Sequence, residues 1–465
     1  MTVAPSRRPE PAAPTWTRPT PHAAPRARRP QRLVAHTLMG AALAGLVAVL
    51  ALALVTNSVA SLSAPGGWFL AVARLCGLTG SYLLLIMVVL MARVPALERA
   101  VGQDRLVRWH RTLGPWSVSL IALHVVSVVL GYAALDHTNP LHQLVLFVLH
   151  YPDVLAAMVG FSLLVTAAVS SHHLARDRMR YESWWTVHVY TYLALALAFM
   201  HQIRVGIPFL THALARQAWI GAWALAALTV LAGRVVLPAV RNARHRLRLV
   251  EVREVAPGVH SLILRGRGLE DLSVAGGQFF QWRFLARGLW WHSHPYSLSA
   301  LPQPPYLRLT VKDLGDQSHA LAHLRPGTPV LAEGPYGAFT HHHLVTRRAL
   351  LVGAGVGVTP VRALLEDLPR DVAATVIVRA SRPEELVHAD ELAALVTERG
   401  GQYHELVGPR TKVRLDARAL RRLVPDVAER DLYVCGPTGF TTAIVEAARR
   451  CGVAPERIHL EAFAF

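Results

Sequence analysis

The chain has 465 residues, 52% of them hydrophobic and only 17% charged, and its formal net charge is +18. An ordinary soluble protein carries about 25% charged residues, so this balance excludes a disordered chain or one large soluble enzyme and points to a membrane protein with a soluble part. The charge is uneven: residues 1–249 hold 23 Arg and 7 acids, whereas residues 250–465 hold 25 Lys and Arg against 23 acids. The basic surplus adjoins apolar runs, so a lipid bilayer accounts for it and no nucleic acid is implied. Cys76, Cys435 and Cys451 are the only cysteines and form no CxxC, which leaves no disulfide framework, zinc site or iron–sulfur cluster. Among 24 histidines, imidazole is the abundant metal ligand.

Residues 1–32 contain eight Pro and seven Arg, a composition that predicts a disordered cytoplasmic tail. Six apolar stretches follow, at 34–56, 68–92, 112–134, 154–173, 184–203 and 216–237. Each is near the ~20 residues that a helix needs to cross a bilayer, and the first is too long for the core of a signal peptide. Arginines cluster before the first stretch, between the second and third, between the fourth and fifth, and after the sixth. Positive loops stay inside, so the expected protein is a multi-pass one of the cell (plasma) membrane, with both termini and the soluble part cytoplasmic. Beyond residue 249, strand-like alternation gives way at 348 to strand, Gly-rich turn, helix and strand. The expected domains are a tail at 1–32, a six-helix membrane domain at 33–240, a β-barrel domain at 245–346 and a Rossmann-like α/β domain at 347–465.

His110 and His124 lie on the third membrane helix, and His188 and His201 on the fifth. Ionisable groups at bilayer depth are costly, and neutral imidazole is a good axial ligand for haem iron. The spacings of 14 and 13 residues separate each pair by about 20 Å along its axis. Helices three and five run in the same direction, which pairs His110 with His188 on the inner side and His124 with His201 on the outer side. On a straight helix a 13-residue step returns about 140° off the starting face, so the fifth helix must bend, rewind or present its two rings differently. Packing histidines bonded to neighbouring helices are the alternative. Arg74 sits at the depth of the outer pair, where a haem propionate or a snorkelling role would explain it.

Two further groups of motifs lie in the soluble part. His294-Pro295-Tyr296-Ser297-Leu298-Ser299 offers hydroxyls for a flavin ring edge, an aromatic to stack and a basic group for a pyrophosphate. Gly315 and Ser318 follow as a phosphate cradle, and then Glu333-Gly334-Pro335-Tyr336-Gly337. Gly353-Ala354-Gly355-Val356-Gly357-Val358-Thr359-Pro360 joins a strand to a helix, the context in which glycines admit cofactor phosphates to a helix N-terminus. After the next strand come Arg379 and Arg382, with no acid before Glu384, which favours NADPH while leaving NADH open. Cys435-Gly436-Pro437 ends another strand, with the thiol near the nicotinamide or simply buried, and Phe465 either covers the flavin ring or packs.

With these residues together, the chain resembles a bacterial member of the NADPH oxidase and ferric reductase superfamily over roughly residues 34–465. The resemblance rests on the histidine spacings, HPYSLS, GAGVGVTP, CGP and the terminal aromatic. It implies a six-helix domain with two bis-His b-type haems, an FAD domain of ferredoxin–NADP reductase type and NAD(P)H as donor. It also implies Cys435, Ser297 and Phe465 as catalytic residues, and Arg74 beside the outer haem. Three departures are visible: Val128 stands where eukaryotic oxidases carry a second His four residues after the outer ligand, His294 stands where related soluble reductases have Arg although the oxidase branch also uses His, and no EF-hand pattern is present. The expected activity is electron transfer from cytosolic NAD(P)H through FAD and two haems to an outside acceptor, molecular oxygen or a ferric chelate. Its alternatives are an anchored flavin reductase serving an inner-side partner without transmembrane transfer, and a transporter or sensor regulated by nucleotide.

Overall fold

A computed structural model describes residues 29–463 apart from Asp177 and Arg180. Residues 1–28 of the expected tail at 1–32, and Phe465, lie outside the described residues, whereas residues 29–32, expected to belong to the tail, already form the start of a helix. The described chain divides into two compact units, Arg29–Val235 and the residues from Val236 onward.

The first unit is helical. Its long helices are α1 (Arg29–Val55), α2 (Gly67–Leu90), α3 (Gln103–Leu135), α4 (Val154–Ser171), α5 (Tyr181–Val205) and α6 (Ala213–Leu231). Among the described residues, five helical segments are long and apolar enough to cross a bilayer, within α1 to α4 and across Ala213–His245. The fifth expected span forms the 25-residue helix α5 but is not among them. His188, Tyr190, Thr191, Tyr192, His201 and Gln202 interrupt its apolar run; Tyr190 and Tyr192 are exposed, whereas His201 and Gln202 line a cavity inside the unit. Helix α3 begins well before its apolar stretch, so His110 is helical too.

Small residues set the packing of α2 on α3. A Cβ built on Gly131 would meet Leu70 Cδ2 at 2.6 Å, and one on Gly77 would meet His124 Nδ1 at 2.6 Å. The two helices are therefore antiparallel and touch almost backbone to side chain. Gly160 does the same for α4 and α5, where an added Cβ would lie 2.6 Å from Ala194 O. A π turn at Ala232–Val236 interrupts the last long helix, consistent with a single inserted residue in the i→i−4 ladder.

The second unit opens with α7 (Leu237–His245). Asn242 of α7 exchanges two hydrogen bonds with Ala332, accepting from its N–H at 2.8 Å and donating to its carbonyl at 3.1 Å. The strands β1 (Arg248–Ala256), β2 (Val259–Arg265), β3 (Phe279–Phe284), β4 (His294–Ser297), β5 (Tyr306–Lys312) and β6 (Val330–Tyr336) make two three-stranded antiparallel sheets, β1-β2-β5 and β4-β3-β6. Among the described residues only the isolated bridges Arg248↔Pro329 and Leu298↔Leu309 run from one sheet to the other, so in place of the expected β-barrel there are two sheets over one core. That core includes Leu262, Leu264, Trp282, Phe284, Leu298 and Leu309.

Five parallel strands follow: β7 (Arg348–Ala354), β8 (Ala373–Ala380), β9 (Gln402–Val407), β10 (Asp431–Pro437) and β11 (Ile458–Phe463), in the order β11-β10-β7-β8-β9. Core clusters on both faces explain why β7, β8 and β10 read as continuous apolar runs rather than as alternating ones. The order reverses between β7 and β10, and in such sheets ligands bind at the carboxyl ends beside that reversal.

Trp282 is fully buried and its indole N–H donates to Tyr296 O at 2.9 Å. Trp282→Ala should therefore destabilise the second unit by about 3–5 kcal/mol, read as a lowered urea midpoint.

Candidate functional site

In the helical unit, α3 and α5 bring the four histidines together in pairs. The His110 and His188 ring centroids are 5.9 Å apart, with planes at 72°. His188 is held by α4 and by its own helix: Ser171 Oγ lies 3.3 Å from its Nδ1, and Trp184 stacks on it at 5.2 Å. Trp184 also donates to Ser171 Oγ at 3.1 Å and carries Arg176 over its face at 4.7 Å. His124 and His201 line one cavity of about 270 Å³, whose walls are mostly apolar and which includes Arg74.

His124 Nδ1 bonds Ala73 O at 2.8 Å. A carbonyl accepts only, so Nδ1 carries the proton and Nε2 keeps its lone pair, the tautomer a metal ligand needs. Among the described residues the buried Nδ1 atoms of His110 and His201 make no well-formed hydrogen bond, and the nearest acceptors are the backbone of Met87 and of Ala198. Among the described residues no group of three or more His, Cys, Asp or Glu is placed to hold a metal ion. The histidines stand as two pairs, the number that axial haem ligation uses. Helix α5 is unbroken through both of its histidines, so the 13-residue step is not absorbed by rewinding.

Arg74 sits in the cavity wall and binds Asn57 Oδ1, through Nε at 3.0 Å and through Nη2. Asn57 in turn donates to Ala53 O at 2.7 Å. No carboxylate is paired with Arg74 among the described residues. Arg204, beside His201 in sequence, is matched by Asp153 at 3.3 Å.

In the second unit, β4 presents His294, Pro295, Tyr296 and Ser297. His294 and Ser297 are buried, and His294 Nε2 and Ser297 Oγ have no hydrogen-bond partner. His294 and Ser297 stand at the two ends of this short strand, and each orphaned atom is one that a polar ligand edge would satisfy. Tyr296 stacks on His294 at 5.8 Å, nearly parallel, and Pro295 is exposed. Burial, then the neighbouring His292, pulls the His294 imidazole down to about 4. Burial pushes the Tyr296 phenol up to about 12. Gly315 is open, but Ser318 Oγ is engaged in its own turn, accepting from Leu314 N–H at 2.8 Å and donating to Gly315 O at 2.9 Å.

The glycine-rich turn ends β7 at the sheet's reversal, directly beside Cys435-Gly436-Pro437 at the end of β10. Gly355 has φ +55° and open space around it, so it serves the turn and leaves room outside. Gly357 serves contact: a Cβ there would meet Cys435 O at 2.4 Å. Thr359 Oγ1 closes the turn on Val356 O at 2.9 Å, and Pro360 is buried in the first turn of the helix Val358–Asp367. The Cys435 thiol is fully buried in the sheet core. Burial, then Glu461, raises it well above the usual thiol range, so Cys435 offers the crevice backbone rather than a thiolate.

The two arginines diverge. Arg379 is buried and donates to the carbonyls of Ala380, Leu406, Gly408 and Val413, so its fork is committed to the fold. Arg382 is exposed and pairs with Glu385 at 2.9 Å and Glu384 at 3.6 Å.

Sequence reasoning missed Gly77, Asn57 and a buried charge network around Glu391. Gly77 carried a signal, because a glycine inside a helix costs about 1 kcal/mol and asks for a packing reason. Nothing local marked Asn57 or Glu391, whose partners lie 17 and 83 residues away.

Comparison with known proteins supplies the rest. Residues 76–199 match the family described as ferric reductase like transmembrane component, and residues 351–446 match the oxidoreductase NAD-binding domain. One segment of the chain is thus similar to a ferric reductase-like transmembrane component, and a later one to the NAD-binding domain of oxidoreductases. The first match takes in His110, His124 and His188 and stops two residues short of His201; the second spans the glycine turn and Cys435-Gly436-Pro437. An NADPH oxidoreductase of Mycobacterium tuberculosis is 32% identical over 230 residues, covering 47% of this chain and 60% of that protein. A flavohemoprotein of Bacillus subtilis is 29% identical, covering 37% of this chain and 47% of its own length. This chain thus spans about half the length of the curated relatives it matches. The solved FAD/NAD-binding domain of nitric oxide dioxygenase from Vibrio cholerae is 26% identical, covering 47% of this chain and 98% of its own, with a TM-score of 0.40.

The depressed His294 has a measurable consequence. The unfolded chain takes a proton on this imidazole near pH 6.5, whereas the folded one resists until about 4. In cofactor-stripped protein His294 should therefore contribute stability above that window and lose it as pH falls from about 6.5 to 4. Melting temperature against pH should fall less steeply there in His294→Gln; parallel curves would reject the assignment.

Proposed function

We propose that this chain is an NAD(P)H oxidoreductase that moves electrons across the cell membrane, from cytosolic NAD(P)H to an outside acceptor such as molecular oxygen or a ferric chelate. The observation that carries it is the pairing of His110 with His188 and the sharing of one apolar cavity by His124 and His201. Two b-type haems on those pairs and an FAD on β4 would supply the redox chemistry, the flavin accepting a hydride and each iron accepting one electron at a time.

The chain's own residues do the positioning. Ala73 O orients His124, and Gly77 lets its ring approach α2. Ser171 and Trp184 hold His188. Arg74, anchored by neutral Asn57, keeps a positive charge in the cavity wall for a carboxylate such as a propionate. Ser297 and His294 give their unsatisfied atoms to the flavin, within a domain at 245–346, and Gly315 leaves room for its phosphates. In a domain at 347–465, the turn Gly353–Gly357 and the end of β10 (Gly436, Pro437) receive the dinucleotide at the sheet's reversal. Arg382 is the residue placed to exchange Glu385 for a 2′-phosphate, which makes NADPH the preferred donor; Arg379 is already bonded to four carbonyls. Arginine-rich connections support cytoplasmic termini and a cytoplasmic reductase module.

A reduced-minus-oxidised spectrum with haem quantification should give about two b haems per chain, and fewer in both His124→Ala and His188→Ala. Unchanged haem content in both variants would reject the ligand set, and flavin without any Soret band would leave an anchored flavin reductase. In steady-state kinetics, Arg382→Ala should reduce the preference for NADPH over NADH by about tenfold or more; an unaltered preference would remove Arg382 from the site.

A further inference from the structure

One buried polar network in the second unit starts at the end of the serine-bearing motif and reaches the helix after the glycine-rich turn, through residues that belong to neither motif. It starts at Ser299, two residues beyond Ser297: Arg308 of β5 donates to Ser299 O at 3.0 Å and to Ser299 Oγ at 3.1 Å. The Arg308 fork then closes on Glu391, with Nη1 to Oε1 at 2.7 Å and Nη2 to Oε2 at 2.8 Å. Glu391 Oε2 also accepts from Arg362 Nε at 2.7 Å. Arg362 lies on the helix Val358–Asp367, whose first turn follows the glycine-rich turn directly.

The same helix is tied down twice more. Glu366 pairs with Arg362 and accepts from Leu301 N–H at 2.9 Å, and Asp367 accepts from Gly276 N–H at 2.7 Å. His388 completes the network, 3.3 Å from Glu391 and 3.0 Å from Thr310 Oγ1. The charges balance, two arginines against two glutamates, and Arg308, Arg362 and Glu366 are almost wholly buried. A buried bidentate pair is poor evidence for stability, because desolvation offsets its attraction. Its geometry is nevertheless rigid, because a planar fork on a carboxylate fixes angle as well as distance.

We infer that Glu391 is a positioning residue that clamps the β4 side of the module to the nucleotide-binding helix, and so sets the approach of nicotinamide to flavin. The inference rests on the proposed function, since it gives the clamp a step to serve. Hydride transfer is steep in distance, and a misplacement of about 1 Å can cost about 100-fold. Binding of either cofactor needs only its own half to be intact.

The test uses full-length, flavin-loaded protein in lipid nanodiscs. Spin labels are placed at Arg287→Cys and Thr397→Cys, two exposed positions on opposite sides of the clamp, while the native Cys76, Cys435 and Cys451 are buried. In Glu391→Gln the label–label distance distribution should broaden, and single-turnover flavin reduction by NADPH should slow by about 10–100-fold. Flavin content and NADP⁺ affinity should stay within about twofold of the parent. Arg308→Lys keeps the charge but loses the fork, and should show the same pattern more weakly; it stands in if Glu391→Gln does not fold. An unchanged distance distribution, an unchanged reduction rate, or an affinity loss matching the rate loss would each overturn the clamp. If the parent flavin is not reduced by NADPH, the proposed function fails, and the label distances still report whether Glu391 holds the two sides.

Discussion

A polar group withdrawn from water must find a partner or a ligand, and this chain places its most informative residues where that demand is severe. In the helical unit the demand falls on imidazole and guanidinium. His124 satisfies one nitrogen on Ala73 and keeps the other free, and Arg74 leans on Asn57, which takes hydrogen bonds but carries no charge. Neither arrangement is finished as it stands, and an apolar cavity lies between them. In the second unit the same demand leaves Ser297 and His294, at the two ends of one short strand, with unsatisfied atoms among the described residues. Under the proposed function a ligand would complete these atoms, whereas Arg379, already bonded to four carbonyls, is committed to the fold.

Glycine acts by a different physical route at each place it matters. Gly77 is valuable for what it lacks, since any side chain there would displace the His124 ring. Gly357 brings its turn onto the backbone of β10. Gly355 adopts a left-handed conformation that other residues reach only with strain. These positions convert a helix pair and a strand–turn–helix unit into surfaces that bulky planar or charged ligands can approach closely.

Much of the fold was legible. Apolar runs of bilayer length, separated by arginine-rich connections, gave the helical unit, because hydropathy at that length has few other uses. Uninterrupted Leu, Val and Ala at 349–352 marked a strand buried on both faces, and alternation in β1 and β5 marked strands of an antiparallel sheet, although β5 is buried on both faces as well. Some expectations came out differently for physical reasons. Helix α5 falls outside the set of apolar spans because His188, Tyr190, Thr191, Tyr192, His201 and Gln202 interrupt its apolar run. Continuous barrel ladders give way to two sheets joined by single bridges. Arg379, which sequence placed beside a cofactor phosphate, is drawn inward by the carbonyls of Leu406, Gly408 and Val413, partners 27 to 34 residues away.

Composition and spacing alone determined that the chain is a helical membrane unit followed by a β-rich and an α/β segment. They also singled out four histidines, one serine-bearing strand and one glycine turn for chemistry, because local patterns encode periodicity, charge and turn type. Tertiary structure decided which nitrogen of His124 holds its proton, which arginine remains exposed, that the Cys435 thiol is buried, and that Glu391 joins Arg308 to Arg362. Those outcomes depend on groups far apart in sequence meeting in a low-dielectric interior, where each contact is settled by geometry and desolvation rather than by neighbours along the chain.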